Sequence, residues 1–460
     1  MSLLSQRRNQ VLLTSWSAWM INYVDRGKTA VLLPLIVISL SMTKEQTGWV
    51  MFAFFICYAG VQPLAGFVTD LLGPKKTLAL SVGAFSIFTW TIALVNTWEE
   101  LLVRNALFGI AQGFEMTAGA RLVATWFPTR VRGRAAAFHQ TAFCIGSMSM
   151  PFIAVPLARA LGSWRWSFMI VAFFGLPVLA AIHHFVADRP ERDTKITEDE
   201  LKYIFGAEEL ANKQGAVLDP TKARSTADLP PGERVTPYRE IFLNPSIFLM
   251  ALSGFFELII SWGMGTWLPT YGVQQLKLPL LLAGSLVSSF SGGQFCGVVS
   301  GGILSDKAFG LKRTPIWLLG GPALALVILW AASLKQGAPL WEVYTAFFLS
   351  GFFVSWSVCG QLFAPYLAEL LTPGAVGRSL GIVVLVAMIG SAVAQPLTAK
   401  LIIKTPAGFQ FWPVFMMFAV SALLMSLCVA GMKEPRVGRP YLTYLLYGKK
   451  INAQAIASVR

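Results

Sequence analysis

Apolar runs long enough to cross a lipid bilayer recur along the entire chain, and no other feature limits its fold so strongly. A helix needs about 20 predominantly apolar residues to span the hydrocarbon. Twelve such runs fall at roughly 11–40, 46–71, 76–96, 99–127, 135–160, 165–186, 244–272, 279–305, 314–333, 338–371, 377–403 and 409–432. Only 13% of the residues are charged, against ~25% in soluble proteins, and mean hydropathy is +0.60. The sequence therefore reads as an all-α membrane protein of twelve transmembrane helices. Lipid and helix–helix contact replace a soluble core. Forty Gly and 25 Pro suit this class, because both are more frequent in membrane helices than in soluble ones.

A net charge of +14 would suit a nucleic-acid binder, but the bases cluster in short loops between the runs. Arg7 and Arg8 precede the first run. Lys75 and Lys76 follow the second, Arg130, Arg132 and Arg134 the fourth, and Lys307, Lys312 and Arg313 the eighth. Lys433, Arg436, Arg439, Lys449 and Lys450 follow the last. The opposite loops hold isolated bases such as Lys44, Lys277 and Lys335. This positive-inside pattern predicts a cell-membrane protein with both termini cytoplasmic and no nucleic-acid partner. Cys57, Cys144, Cys296, Cys359 and Cys428 lie inside apolar runs without CxxC or metal-ligand spacing. They read as small buried hydrophobes, with no disulfide framework, metal or cofactor. The first run carries Asp25 and Arg26 and lacks a small-residue cleavage site, so it is not a cleavable signal peptide.

Residues 187–243 break the pattern with dense charge of both signs and Pro230-Pro231. Thr197-Glu198-Asp199-Glu200 matches a capping box before a short amphipathic helix ending near Phe205. The rest reads as a solvated cytoplasmic linker without chemistry. The expected organisation is a six-helix bundle over 1–186, the linker over 187–243, a second six-helix bundle over 244–432 and a cytoplasmic tail over 433–460.

The halves repeat. Gly66-Phe67-Val68-Thr69-Asp70-Leu71-Leu72-Gly73-Pro74-Lys75-Lys76 closes the second run. Gly302-Ile303-Leu304-Ser305-Asp306-Lys307, then Gly310 with Lys312-Arg313, closes the eighth. In both, a small Gly permits close helix contact, and an Asp sits near a helix C-terminus beside cations. Trp126-Phe127-Pro128-Thr129-Arg130-Val131-Arg132-Gly133-Arg134 recurs loosely as Leu371-Thr372-Pro373-Gly374-Ala375-Val376-Gly377-Arg378. Duplicated six-helix units occur in transporters that rock two bundles around a midplane site.

One stretch contradicts its surroundings. Asn22-Tyr23-Val24-Asp25-Arg26-Gly27-Lys28 lies in the middle of the first run. A charge at the bilayer centre costs at least ~2.5–3.5 kcal/mol, so such groups face a polar cavity or a partner. The plain reading is a salt bridge from Asp25 that only holds the bundle together. The sharper one is a binding and coupling site.

The paired loop motifs, within a six-loop-six plan covering essentially the whole chain, resemble the major facilitator superfamily. Within it the chain looks most like the anion:cation symporters, which take up sugar acids and other organic carboxylates with protons. Four stretches carry the likeness: Asn22-Tyr23-Val24-Asp25-Arg26; Ala53-Phe54-Phe55 through Tyr58, Gln62 and Pro63; Trp126-Phe127-Pro128; and Ile196-Thr197-Glu198-Asp199-Glu200-Leu201 with Tyr203-Ile204. The resemblance implies two pseudo-symmetric bundles, with Arg26 binding the substrate carboxylate, Asp25 in the proton-coupling network and Tyr58 lining the cavity. One departure matters. The family has Arg and, seven residues on, Glu in the fourth span. Here Arg104 is followed by Ala111, and counting back from Arg121 and Trp126-Phe127-Pro128 the Glu position falls on Gln112, which cannot titrate. Glu115 stands three turns after Arg104, ~16 Å along the axis, and can take over the titratable role. A rival likeness, to the organophosphate:phosphate antiporters, rests on Gly109-Ile110-Ala111-Gln112-Gly113 and Trp267-Leu268-Pro269-Thr270-Tyr271. Those carriers use an Arg in the seventh span and a His in the fifth, positions that fall on Ser261 and Phe143. A phosphate dianion would lack those charge partners.

The remaining charges divide between two readings each. Arg104 either snorkels and pairs with Glu99 or Glu100, or gives the anion a second cationic contact. Lys28 either neutralises Asp25 or gives a third. His139 is a structural hydrogen-bonder or part of a proton relay. Glu257 is a coupling carboxylate or the partner of a base such as Lys28. Arg121 and Glu369 are expected in gate-type salt bridges with the loop motifs that contain Asp70 and Asp306. Trp262, Trp267 and Trp356 are candidates to stack on substrate. With three His and no convergent His, Cys or Asp set, the chain is not expected to be an enzyme. The linker is too short for the signalling domain of a sensor. The expectation is a monomeric importer of a small organic anion coupled to protons, with sodium left open. Arg26, Arg104, Lys28, Tyr58 and Gln112 would bind substrate, and Asp25, Glu115 and Glu257 would couple the proton. Sugar acids, dicarboxylates and aromatic acids all fit.

Overall fold

The computed structural model describes residues 6–206, 244–307, 314–357, 366–367, 370, 373–406, 408–434 and 439–440. Helix α1 (Arg7–Ser39) runs unbroken through the charged stretch and through Pro34. Helix α2 (Lys44–Leu72) starts on a full capping box between Thr43 and Gln46. Helix α3 (Pro74–Ile92) opens with proline, which lacks the N–H that a first turn leaves unpaired. The fourth expected span is two helices, α4 (Trp98–Gly113) and α5 (Glu115–Trp126), broken at Phe114. Helix α6 (Thr129–Ala160) is the fifth span, and α7 (Trp164–Phe173) with α8 (Gly175–Phe185) forms the sixth. After the short α9 (Glu198–Phe205), the second half holds α10 (Pro245–Gln274), α11 (Leu280–Lys307), α12 (Thr314–Ser333), α13 (Leu340–Val354), α14 (Pro373–Leu401) and α15 (Trp412–Gly431). Small antiparallel ladders pair Ile403–Thr405 with Gly408–Gln410 and Lys433–Glu434 with Arg439–Pro440. Among the described residues, these short strands are the only ones.

Among the described residues, eight helices are long and apolar enough to cross a membrane. The other expected spans fall short for visible reasons. The first carries the buried charges, the third opens on Lys75-Lys76, the fourth is broken and holds five ionisable groups, and the tenth has 15 described residues.

Packing shows the duplication directly. In the first half α1 lies against α6 and α2 against α4. In the second half the counterparts do the same, α10 against α14 and α11 against α13. The halves meet through α2 with α14, α6 with α11, and α1 with α10. Each half has its own apolar core, one around Phe54, Phe85 and Phe168 and one around Tyr271, Phe347 and Phe415. The fold is that of two pseudo-symmetric six-helix bundles.

The two ends of the interface differ. Away from the linker, the halves are sealed. A Cβ on Gly48 would come within 2.9 Å of Ala399 and of the Pro396 backbone, and Lys44 Nζ donates to the Ile402 carbonyl at 2.6 Å. On the linker side, a Cβ on Gly66 or Gly302 would have no atom within 4 Å among the described residues. Neither glycine makes here the close helix contact that its small size permits. Gly73 does have a steric role. Its φ of 85° is left-handed, and a Cβ there would sit 2.6 Å from the Asp188 carboxylate, which accepts the Lys75 N–H at 2.8 Å. Lys75 Nζ reaches the His183 carbonyl, whereas Lys76 is exposed. Asp70 pairs with Arg121 at 3.3 Å, both side chains more than half exposed. Glu369 and the side chain of Asp306 lie outside the described residues.

The start of the linker is not a solvated tether. Thr197 accepts the Glu200 N–H, the first half of the expected capping box. Glu200 does not return the bond. Its carboxylate accepts the backbone N–H groups of Arg7 (3.1 Å) and Arg8 (2.9 Å), and so caps α1. Arg7 pairs with Asp193 at 2.8 Å, and the Arg8 guanidinium lies 3.8 Å over the Tyr203 ring. Helix α9 thus clamps the first turn of α1. Replacing Glu200 with Ala leaves two donors of that turn without their cap, which costs about 1–2 kcal/mol. The expected outcome is a lower melting temperature of the detergent-purified protein. An unchanged melting temperature would show that the clamp adds no stability.

Candidate functional site

Helical spacing sorts the charged stretch of α1 into two faces. Asn22 and Arg26, four apart, share one face, and Asp25 and Lys28, three apart, share the next. The faces have different surroundings. On the second, Lys28 Nζ pairs with Asp25 Oδ1 at 2.6 Å, and Thr89 donates to Asp25 Oδ2 at 2.9 Å. The ammonium lies over the rings of Phe108 and Phe168, at 4.8 and 4.7 Å. Both charges are fully buried inside the first bundle, and neither lines the cavity. Lys28 stands off the cavity wall; its charge is taken up by Asp25, and Asp25 has both oxygens bonded.

The first face opens on a cavity of about 940 Å³ between the bundles. Arg26 lines it. Its Nε donates to Gln112 Oε1 at 3.1 Å and its Nη2 to Asn22 Oδ1 at 3.4 Å, while Nη1 is buried with no hydrogen-bond partner among the described residues. Four rings surround the guanidinium within about 5 Å: Tyr58 at 4.6, Tyr23 and Trp262 at 4.9 and Phe54 at 5.1 Å. Trp262 comes from α10 of the other half. It stacks on Tyr23 and touches Phe55 at 5.0 Å between ring centroids, so the cation is enclosed from both bundles.

Behind Arg26 lies a polar chain. Gln112 bonds Arg26 on one side and donates to the Asn22 carbonyl on the other. Asn22 Nδ2 donates to Glu115 Oε2 at 2.5 Å, and Glu115 Oε1 has no hydrogen-bond partner among the described residues. The break at Phe114 makes Glu115 the first residue of α5. Gln112 and Glu115 are buried behind the cavity wall. Gln112 orients Arg26 and does not itself line the cavity.

Other expected residues are dispersed. Arg104 pairs with Glu100 at 3.6 Å and donates to the Thr91 carbonyl at the rim of α3, away from the cavity. The structure does not bring Arg104 to the cavity wall with Arg26. Tyr58, Glu257, Ser261 and Phe143 all line the cavity, and Ser261 donates to Glu257 Oε1 at 2.7 Å. His139 accepts or donates one bond with Ser15 Oγ and stacks on Trp19 behind the wall. Trp267 bonds Gln395 and Trp356 bonds Ser300; of the three candidate tryptophans only Trp262 lines the cavity. Asn22 is the connecting residue that the sequence argument left without a role. Its position four residues before Arg26 was the available signal.

The Major Facilitator Superfamily profile matches residues 15–394. The chain is 28% identical over 342 residues to the probable sulfoacetate transporter of Cupriavidus necator, covering 72% of each chain. It is 25% identical to the probable galactarate/D-glucarate transporter of Escherichia coli, over 80% of this chain and 87% of the relative. A membrane sensor protein of Salmonella typhimurium is 26% identical over 91% and 90%. Among solved structures, a D-xylose-proton symporter superimposes with a TM-score of 0.72 at 14% identity, over 93% of this chain and 98% of that one.

The geometry assigns Asp25 and Lys28 a test of their own. Removing one partner of a buried ion pair costs about 3–5 kcal/mol because the other charge stays buried alone. Asp25→Asn should therefore sharply lower the yield and melting temperature of purified protein, and adding Lys28→Met should restore most of both. Full stability of Asp25→Asn alone would contradict the ion-pair role.

Proposed function

The chain belongs to the major facilitator superfamily, and on that premise we propose that it imports a small organic anion by alternating access, holding the carboxylate at Arg26 and moving a proton with it. One observation carries the reading: a buried guanidinium on the cavity wall keeps an Nη1 without a hydrogen-bond partner among the described residues. A carboxylate satisfies such a group with charge-assisted hydrogen bonds, about twice as strong as neutral ones. The names of two relatives, a sulfoacetate and a galactarate/D-glucarate transporter, agree with an anionic cargo.

Residues 1–186 and 244–432 serve as the rocking bundles on this reading, joined by 187–243, and the protein works as a monomer. Linker and termini face the cytoplasm, so the open end of the cavity is the inward one. Closure on that side brings the helices together at Gly66 and Gly302 and reorganises the Asp70–Arg121 pair. The proton goes to Glu115. Gln112 cannot titrate, and Asp25 is neutralised by Lys28. Glu115 is the acid linked to Arg26 through one residue, Asn22. A neutral Glu115 loosens its hold on Asn22, and through it the setting of Arg26, which biases one bundle arrangement over the other.

The organophosphate antiporter reading is weaker, because the cavity positions for its second Arg and its His hold Ser261 and Phe143. A sensor on this scaffold would bind the anion without net flux, and reconstitution separates the two. The experiment is uptake of a panel of labelled organic acids into proteoliposomes, with and without an inward proton gradient. Wild type should accumulate a carboxylate, and a protonophore should abolish the accumulation. Arg26→Ala should lower uptake at least ~30-fold, the loss of one charged hydrogen-bonding group. Glu115→Gln should keep carboxylate exchange but lose gradient-driven accumulation. Accumulation undiminished in Glu115→Gln would remove it from the coupling path, and exchange seen only with phosphate esters would favour the antiporter.

A further inference from the structure

Helix α1 buries three hydroxyl-bearing side chains, and two of them are satisfied inside the protein. Thr14 donates to the Gln10 carbonyl at 2.8 Å, and Ser15 shares a hydrogen bond with His139 at 2.9 Å. Thr29 is the third. It is 2% exposed and lines the cavity, and its Oγ1 is buried with no hydrogen-bond partner among the described residues. A buried hydroxyl left in this state is costly. Resting on the carboxylate reading above, we infer that Thr29 is a second substrate contact, which hydrogen-bonds a hydroxyl on the carbon next to the carboxylate. The cargo is then a 2-hydroxy acid, and the analogue without that hydroxyl is the poorer ligand.

The charge pair of α1 explains why this hydroxyl is available. A threonine inside a helix can donate back to the carbonyl four residues earlier, as Thr14 does. For Thr29 that carbonyl belongs to Asp25. It already accepts the Lys28 ammonium at 2.7 Å and, in an unbroken helix, the Thr29 N–H. A carbonyl oxygen has two lone pairs, so the local bond has no acceptor left. Thr29 follows Arg26 by three residues, which makes the two neighbours on the helix surface with Cβ atoms ~5–6 Å apart, and both line the cavity. Thr29 lies on the side of Lys44 and Gly48, the sealed end. When a carboxylate sits on Arg26 Nη1, an oxygen on its neighbouring carbon stands two bonds of ~1.5 Å from the carboxyl carbon. That is within reach of a hydroxyl one turn deeper. The Thr29 hydroxyl both donates and accepts, so it matches a substrate hydroxyl in either sense. One 2-hydroxy acid thus satisfies Arg26 Nη1 and Thr29 Oγ1 together. A site built around such a bond rejects the analogue lacking it, because its own polar group is again left buried and alone.

The test uses matched pairs that differ only in the 2-hydroxyl: lactate and propionate, gluconate and 2-deoxygluconate, mandelate and phenylacetate. Binding of each to purified full-length wild type, Thr29→Val, Thr29→Ser and Arg26→Ala is measured by ligand-induced thermal stabilisation at fixed neutral pH. Size-exclusion profiles verify folding of each variant. In any pair that binds, wild type and Thr29→Ser should prefer the 2-hydroxy member by about tenfold, equivalent to ~1.4 kcal/mol. Thr29→Val should bind that member about tenfold more weakly than wild type does and so erase the preference. The ligand-free melting temperature adds a readout that a purely structural hydroxyl would move the other way. Thr29→Val removes a polar atom that has no partner, and should melt no lower than wild type. A preference that survives in Thr29→Val, its absence in wild type, or a lower melting temperature of ligand-free Thr29→Val would overturn the inference. Arg26→Ala should bind neither member. If it keeps both, or if no carboxylate stabilises wild type, the carboxylate site itself is misassigned, a failure distinct from that of Thr29.

Discussion

The structure depends on how a single guanidinium is kept charged in a dry place. The Arg26 guanidinium is a buried charge, so its burial has to be met by the groups around it. Neutral acceptors take two of its nitrogens, and four aromatic faces offer their negative quadrupoles to the rest. None of these partners carries a full negative charge. The site is therefore held short of neutrality, which is the basis for proposing that a carboxylate cargo completes it. The nearby Asp25–Lys28 pair shows the contrasting solution, in which two buried charges cancel and leave nothing for a ligand.

The same arrangement links binding to motion. Three of the rings around Arg26 belong to the first bundle, and the fourth, Trp262, belongs to the second. Any rocking of the halves changes the enclosure of the cation. The interface is sealed at Gly48 and Lys44 and open at Gly66 and Gly302. On the proposed alternating-access reading, the duplicated Gly–Asp motifs sit where the bundles close in the opposite state, which accounts for glycines at positions with open space around a Cβ among the described residues.

Much of this was legible in the sequence, and the failures have physical causes. Span length and loop charge gave the helical plan, because the bilayer imposes both. The breaks at Phe114 and Phe174 were not legible, since no proline marks them. The first one matters, because it turns Glu115 into a helix-opening residue. For Lys28 and Arg104 the sequence left two readings each, an anion contact or a pair with a nearby acid, and in the structure Lys28 pairs with Asp25 and Arg104 with Glu100. Glu200 looked like half of a capping box, and its carboxylate instead caps α1, 193 residues away in sequence. Local patterns explain a residue once, and the fold can employ it elsewhere.

The most direct test of the central claim is a structure of the protein with a hydroxylated monocarboxylate bound. The account predicts the carboxylate on the Arg26 guanidinium, with an oxygen about 2.7–2.9 Å from Nη1, under the ring of Trp262. An anion seated elsewhere in the cavity, with Nη1 still unpartnered, would contradict it.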